Sequence, residues 1–419
     1  MKRDLTVRGT RDFFPESCAS LNHICGTWRS TALSYGFEEF EGPVLETLEL
    51  YKIKSGEEIL SQLYHFTDKG GRELALRPEM TPTLARMVAR IHNQAAKPIK
   101  WFSIPRCLRY EKPQKGRLRE FFQLNVDIIG EEAPTADLEV IGCAVDSLAN
   151  LGLGSDDFVV KINSRNYVSG FFSSLGITGE VMGRLYKIVD NARKAGPEAT
   201  KGSLDELGLA GTQRREVDAY LSAESMEDVK RVGARNPGAG ELVALFDLID
   251  ASGFGPYCDF DPTIVRGLDY YTGIVFEIFD RKETMRAICG GGRYNRLLSE
   301  FAGVDVPACG FGMGDVVLGR ILEEAGLMPD YDRQIDYYLV RVTDGELGPL
   351  LRAARVLRRD GNRVEYTYGN IPLKKQMARA SKIGARRALI FGEEELRQGK
   401  VKEKDLLTGE ERLVDVPEG

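Results

Sequence analysis

The sequence predicts an α+β protein: a mostly antiparallel sheet flanked by helices, a helical insertion within it, and a separate C-terminal α/β module. Three observations carry this. Residues 104–130, IPRCLRYEKPQKGRLREFFQLNVDIIG, hold two alternating runs around a polar tip containing Pro and Gly, the pattern of an antiparallel hairpin. Residues 165 to about 247 are helix-rich, with breaks at Gly176, Gly196-Pro197 and Pro237-Gly238. Beyond a polar, Pro-containing joint at 327–334, strand and helix patterns alternate as in a small α/β module. The expected domains are therefore 1–326, with the insertion at about 165–247, and 334–419. A chain of 419 residues is long enough for two or three domains.

From the N-terminus, apolar residues at helical spacing (Leu21, Ile24, Cys25, Trp28, Ala32) predict a helix over 17–35 with Gly36 as its C-cap. Residues 37–44 read as a strand ending near Pro43, and Pro belongs at a strand edge, start or bulge. Residues 64–66 and 74–76 form a hairpin turning at Lys69-Gly70-Gly71, and 83–91 a helix entered through Pro78 and Pro82. Residues 131–151 are a helix and 159–162 a strand. Around Gly267, two apolar strands within 260–279 flank Arg266, Asp269, Tyr270 and Tyr271. Residues 288–298 read as a Gly-rich turn into a helix, and 306–322 as strand, glycines, then helix. In the last module, strands at 335–342, 364–368, 388–392 and 401–407 alternate with helices at 348–360 and 372–384.

The 104–130 hairpin is the most informative stretch. Strand side chains alternate faces, so Phe121, Gln123, Asn125 and Asp127 share one floor, with Arg109 projecting beside it from the partner strand. An Arg for phosphate, Glu111 for a purine edge and Phe121 for a purine face describe a nucleotide bed. An ordinary amphipathic hairpin with a solvated, charged tip carries the same alternation. Glu79, just before a helix start, is an acceptor for an ammonium or a favourable charge at the helix dipole.

Composition narrows the classes. The net charge of −6 excludes a globally basic surface, so any nucleic-acid contact must come from local patches. The run Lys374, Lys375, Arg379, Lys382, Arg386, Arg387 is one such patch, suited to phosphate. The seven Cys residues form no CxxC pair, which favours a reduced, cytoplasmic chain over a disulfide framework. The three His residues, His23, His65 and His92, share no ligand spacing, so no protein-built metal site is expected. The N-terminus lacks the apolar core of a signal peptide, and no apolar run is long enough for a bilayer.

The order Arg109, Tyr110, Glu111, basic loop, Phe121 resembles motif 2 of the class II aminoacyl-tRNA synthetases, and RYEKPQKGRLREFFQ is most similar to the histidyl-tRNA synthetase version. RGTRDFFPE at 8–16, LRPEMT at 76–81, RGLDYYTG at 266–273, the motif 3-like VPACGFGMGDVVLGRIL and the closing GKVKEKDLLTGE extend the resemblance along nearly the whole chain. RGLDYYTG is the most specific of these. The 15–44 helix and strand resemble motif 1, which implies a homodimer.

The resemblance implies a two-step reaction. ATP, with Mg²⁺ on its phosphates, activates L-histidine to the adenylate, and the histidyl group passes to the 3′ end of tRNA(His). It implies that Arg109 and Arg266 grip the α-phosphate from two sides and are the catalytic pair. Histidine would be held by Glu79, Met80, Thr81, Arg109, Gln123, Asp127, Arg266, Tyr270 and Tyr271. ATP would be held by Arg109, Glu111, Arg117, Arg119, Phe121, Gly312 and Gly314. Gln114 and Arg117 on the loop, with Lys374 and Lys375 on the C-terminal helix, would meet tRNA. The insertion would reach toward the acceptor stem.

Three departures stand out. Asn295 replaces an Asp usual in the family, and Asp127 a Glu common there. Val317 occupies the place of the motif 3 Arg that grips the γ-phosphate, and Val316 the acidic place before it, so either another cation serves that phosphate, with Arg117 or Arg119 in reach, or ATP binding is weakened. Such erosion also fits the alternative of a regulatory paralogue that binds histidine without charging tRNA, of the ATP phosphoribosyltransferase regulatory subunit type. That family typically lacks the C-terminal module and an intact RGLDYYTG. A synthetase for proline, threonine or glycine is a third reading, opposed by residues 266–273.

Overall fold

The computed structural model describes residues 5–52, 61–114, 116–232, 236–265, 271–296, 299, 303, 305–331 and 333–417. They form two compact units, Met1–Pro329 and Asp330–Gly419.

In the first unit the strands are β1 (Glu38–Glu39), β2 (Leu45–Thr47), β3 (His65–Thr67), β4 (Glu73–Leu76), β5 (Ile99–Ser103), β6 (Arg106–Leu108), β7 (Glu120–Ile129), β8 (Phe158–Ser164), β9 (Cys258–Phe260), β10 (Ile274–Asp280), β11 (Cys289–Arg293) and β12 (Ala308–Gly314). The main sheet runs β1-β5-β7-β12-β11-β10-β8-β9, with β6 paired to the start of β7. Only β1–β5 and β8–β9 are parallel. Strands β2, β4 and β3 form a separate small sheet. Helices α1 (Pro15–Ser34), α2 (Leu48–Lys52), α3 (Thr81–Ile91) and α4 (Pro134–Ala149) follow in order. The residues 165–252 supply α5 (Arg165–Ser174), α6 (Gly179–Ala195), α7 (Pro197–Asp205), α8 (Gly211–Leu221), α9 (Met226–Val232) and α10 (Pro237–Ser252). Helix α11 (Asp315–Glu324) leaves directly from β12. This is the class II synthetase-like α+β architecture.

One face of the sheet is dry. Trp28 of α1, Ile141, Val145 and Leu148 of α4 and Leu124, Val126 and Ile128 of β7 are all essentially inaccessible and share one core with Leu318 and Leu322 of α11. Alternation on β7 therefore sends Leu124, Val126 and Ile128 into that core. The opposite set, Phe121, Gln123, Asn125 and Asp127, faces a cavity.

Two elements differ from the sequence expectation. The strand expected over 37–44 is reduced to the two residues of β1, and β2 begins only after it. Pro43 has no N–H for a ladder, and Arg77 instead donates to the carbonyl of Gly42 at 2.7 Å. The glycine run expected as a turn is strand β11, paired on both sides, to β10 and β12. A Cβ on Gly291 would lie 2.5 Å from the Gly310 carbonyl and 2.6 Å from the Phe276 ring. Gly292 has φ 154° and packs against the Ile274 carbonyl. The glycines allow two neighbouring strands and an aromatic ring to close up where any side chain would collide.

The second unit contains β13 (Ile335–Arg341), α12 (Leu347–Arg359), β14 (Val364–Tyr366), α13 (Leu373–Lys382), β15 (Ala385–Phe391), α14 (Glu393–Arg397), β16 (Lys400–Asp405) and β17 (Glu411–Asp415). Its sheet runs β14-β13-β15-β16-β17, parallel for the first three strands and antiparallel thereafter. Leu350, Ala353 and Leu357 of α12 pack on one face, and Ala380 of α13 on the other.

Glycine substitutions separate packing from propensity. Gly291→Ala should destabilise the protein by about 1–3 kcal/mol, the range for overpacking. Gly183→Ala, in open space on helix α6, should stabilise by about 0.4–1 kcal/mol. Denaturant unfolding of both variants checks the opposite signs.

Candidate active site

A cavity of about 360 Å³ opens over β7, β12 and β11, within the size range of small-molecule sites. Its long axis follows β7. Asp127 pairs with Gly310, and Gln123 with Gly314, so the Phe121 and Asp127 ends lie about 20 Å apart at roughly 3.3 Å per residue. The deep end is lined by Glu79, Thr81, Gln123, Asn125, Asp127, Tyr271, Tyr294, Gly290 and Gly310. The mouth is lined by Arg109, Glu111, Arg117, Phe121, Arg286 and Val317, with Gly314 at the level of Gln123 between the two ends.

The deep end has room for polar side chains because the neighbouring strand has none. A Cβ on Gly310 would collide with the Asp127 carboxylate, and one on Gly312 would lie 2.7 Å from the Gln123 amide nitrogen. Asp127 is 6 % exposed. Burial pushes its carboxyl up from 3.8 to about 7, partly offset by the hydrogen bond that Tyr294 Oη donates to Oδ1. Asn125 donates to the Gln123 carbonyl at 3.1 Å. Glu79 is buried two residues before Thr81, the first residue of α3. Tyr271 is also buried.

At the mouth, Arg109 Nε donates to the Pro78 carbonyl at 3.0 Å, which ties the hairpin to the segment carrying Glu79. Its guanidinium lies 5.2 Å from the Phe121 ring centre. Arg117 forms an ion pair with the buried Glu111. Gln114 and Arg117 exchange backbone hydrogen bonds at 3.0 and 2.9 Å across the tip, where Gly116 has φ 77°. The hairpin is fixed from behind by Asp315. This carboxylate accepts from Phe122 N at 2.8 Å and from Arg11 at 2.6 Å, and is itself buried. Burial raises its carboxyl, while Arg11 opposes the shift.

Of the sequence-derived set, Glu79, Thr81, Arg109, Glu111, Arg117, Phe121, Gln123, Asp127, Tyr271, Gly312 and Gly314 line this one cavity. Arg266 and Tyr270 lie outside the described residues. Met80 does not line it: the side chain is in the core, with Sδ 3.9 Å from Arg77. Arg119 is likewise turned away. It donates to the Glu111 and Arg8 carbonyls at 3.0 and 3.3 Å and stacks on Tyr110. An Arg spent on two carbonyls and a ring is not available to the cavity, so the nucleotide expectation for Arg119 is corrected. Gln114 is outside the cavity at the loop tip. Lys374 and Lys375 are exposed on α13, whose start is fixed by Gln376 bonding the Arg341 backbone.

Tyr294 and Arg286 were missed. Tyr294 follows the glycine strand, and only a correct strand assignment would have turned it toward Asp127. Arg286 stands in the irregular segment before β11, where periodicity has no purchase. The nearby Arg293 is structural: it pairs with buried Asp137 at 2.6 Å and donates to the Glu131 and Ala133 carbonyls.

The model of the family described as histidyl-tRNA synthetase matches residues 9–314. The chain belongs to that family. A second model, for the anticodon binding domain, matches residues 349–418. A histidine–tRNA ligase of Opitutus terrae is 43 % identical over 423 residues, covering 98 % of this chain and 95 % of that protein. The chloroplastic/mitochondrial histidine–tRNA ligase of Arabidopsis thaliana is 39 % identical, covering 96 % and 83 % respectively. The crystal structure of histidyl-tRNA synthetase from Nostoc sp. PCC 7120 superposes with a TM-score of 0.81 at 26 % identity, covering 99 % of this chain and 97 % of that one.

The raised carboxyl of Asp127 gives a signed prediction. A folded-state pKa of about 7 against 3.8 means that the folded chain binds more protons between these values, so this group lowers stability progressively as pH rises through that window. Asp127→Asn removes the penalty. Its stability advantage over the parent should grow by about 2–3 kcal/mol between pH 5 and pH 8. Urea unfolding at the two pH values reads this, and a constant difference would contradict it.

Proposed function

We propose that this protein is a histidine–tRNA ligase. An oxygen of the histidine carboxylate attacks the α-phosphorus of ATP, the bond to the β-phosphate bridging oxygen breaks, and pyrophosphate leaves. A terminal ribose hydroxyl of tRNA(His) then takes the histidyl group and AMP is released. The observation that carries the reading is the convergence of Arg109, Glu111 and Phe121 with Glu79, Gln123, Asp127 and Tyr271 on one cavity.

The first step brings two anions together, so it needs positioned cations more than a proton shuttle. Arg109 supplies one, its Nε held by Pro78 so that the remaining donors point at the phosphate. Arg266 supplies the second, on the strength of the RGLDYYTG resemblance. Phe121 offers a face for adenine and Glu111 an acceptor for its amino group. Glu79 and Thr81 take the α-ammonium. Gln123, Asp127, Tyr270 and Tyr271 hold the imidazole, with Tyr294 orienting Asp127. A buried polar set of this kind rejects apolar analogues far better than shape alone.

Mg²⁺ enters as part of the substrate. Among the described residues no cluster of three His, Cys, Asp or Glu side chains exists to build a site. An ion carried on the ATP phosphates and keeping its waters fits this donor set. The C-terminal module binds the anticodon through Lys374 and Lys375, and Gln114 and Arg117 meet the acceptor end. The active form is a homodimer in the cytoplasm.

Val317 favours the second reading, the regulatory paralogue. Against it stand the Glu79, Thr81, Gln123, Asp127 and Tyr271 side chains gathered on one cavity and the match to the anticodon binding domain. Pyrophosphate exchange run with each amino acid separates the readings: exchange with histidine alone is expected, and no exchange would leave the paralogue. Arg266→Ala should abolish histidine-dependent exchange in a folded protein, a loss of about 2.7–4 kcal/mol of transition-state stabilisation. Asp127→Ala should raise the KM for histidine. Near-normal exchange in the first variant, or an unchanged KM in the second, would remove the assigned role.

A further inference from the structure

The mouth of the cavity holds three described cations, and two are already committed. Arg109 is held by the Pro78 carbonyl and lies over Phe121, and Arg117 is paired with Glu111. Arg286 is the third. It is exposed, lines the cavity, and has no hydrogen-bond or ion-pair partner among the described residues.

Its position is set by the sheet. Arg286 stands two residues before Ile288, whose carbonyl accepts from Gly314 N at 3.3 Å. Gly314 is the last residue of β12, and Val317 follows in the first turn of α11. Arg286 and Val317 therefore meet at the same end of the cavity, both in its lining, opposite the Asp127 end. The lining residues Gly116, Ala287, Ile288, Gly314 and Val316 are apolar or bare backbone, and the carboxylate lining this end, Glu111, is paired with Arg117. A guanidinium with all five donors unspent, facing a cavity and without an ion-pair partner, is a site for a multiply charged oxyanion such as a phosphate.

We propose that Arg286 binds the β- and γ-phosphates of ATP and so supplies the cation that Val317 cannot. The inference rests on the reading of the cavity as an ATP site. It assigns the polyphosphate tail to the irregular segment before β11 instead of to the helix after β12. Arg286 acts on binding and orientation of the departing pyrophosphate, in both directions of the reaction. Histidine, at the other end, does not touch it.

The test compares ATP with AMP, which shares the adenosine and α-phosphate but lacks the tail. In titrations of the full chain with Mg-ATP, Arg286→Ala should weaken binding by about tenfold or more, the scale of one charge-assisted hydrogen bond. AMP affinity should change less than about twofold, since the contact it makes is elsewhere. In exchange assays the KM for ATP and for pyrophosphate should rise together while the KM for histidine stays constant. A structural role would weaken AMP and ATP alike, and that result, or unchanged ATP affinity, overturns the proposal. The two readings fail separately. If the parent chain binds Mg-ATP but shows no histidine-dependent exchange, the ligase reading falls while the ATP-to-AMP comparison still decides Arg286.

Discussion

The site depends on missing side chains. Strands β7, β12 and β11 lie side by side at ordinary antiparallel spacing, and the face of β7 that points away from the core carries Gln123 and Asp127. Those side chains can lie over the sheet only because Gly310 and Gly312 leave their volume empty. Gly291 and Gly292 in turn let β11 close on Phe276 and β10. A sheet with ordinary residues at these positions would form equally well and enclose nothing. The same arrangement buries Asp127 and accounts for its raised carboxyl, with Tyr294 fixing the orientation.

Much of this was legible in the chain. Alternation in residues 121–129 separated two faces, and the structure keeps that division for Leu124, Val126 and Ile128 in the core and Phe121, Gln123, Asn125 and Asp127 at the cavity. The α+β class followed from hairpin and helix patterns that are local. What could not be read was local too, but depended on distant partners. A run of three glycines is a turn by propensity and a strand by tertiary pairing, because the penalty of a bare backbone is outweighed when neighbours need the space. Arg119 and Arg117 stand two residues apart with the same side chain. Only the positions of the Arg8 and Glu111 carbonyls on one side, and the Glu111 carboxylate on the other, divide their fates. Arg286 belongs to no periodic element, so nothing in its surroundings marked it.

Charge at the cavity is arranged by reach more than by number. Glu111 keeps Arg117 against the hairpin, Pro78 keeps Arg109 at the boundary between the two ends, and Arg286 is left uncommitted. A buried ion pair such as Arg293 with Asp137 shows the contrasting use: its donors are saturated by one carboxylate and two carbonyls, which locks β11 to the start of α4 and leaves no capacity for a ligand. The two kinds of arginine are told apart by their partners: Arg293 is buried and saturated, Arg286 exposed and unpartnered among the described residues.

The knot at Asp315 joins residues 11, 122 and 315. Strand β7 likewise has one neighbour, β5, made just before it and another, β12, made almost two hundred residues afterwards. On the ribosome, β7 must therefore wait with one edge open and its hairpin unanchored until the whole insertion has emerged. That interval exposes a hydrogen-bonding edge and a row of apolar side chains to other nascent chains. Synthesis speed across residues 165–305, and holding by chaperones during it, becomes part of what determines the yield of active protein.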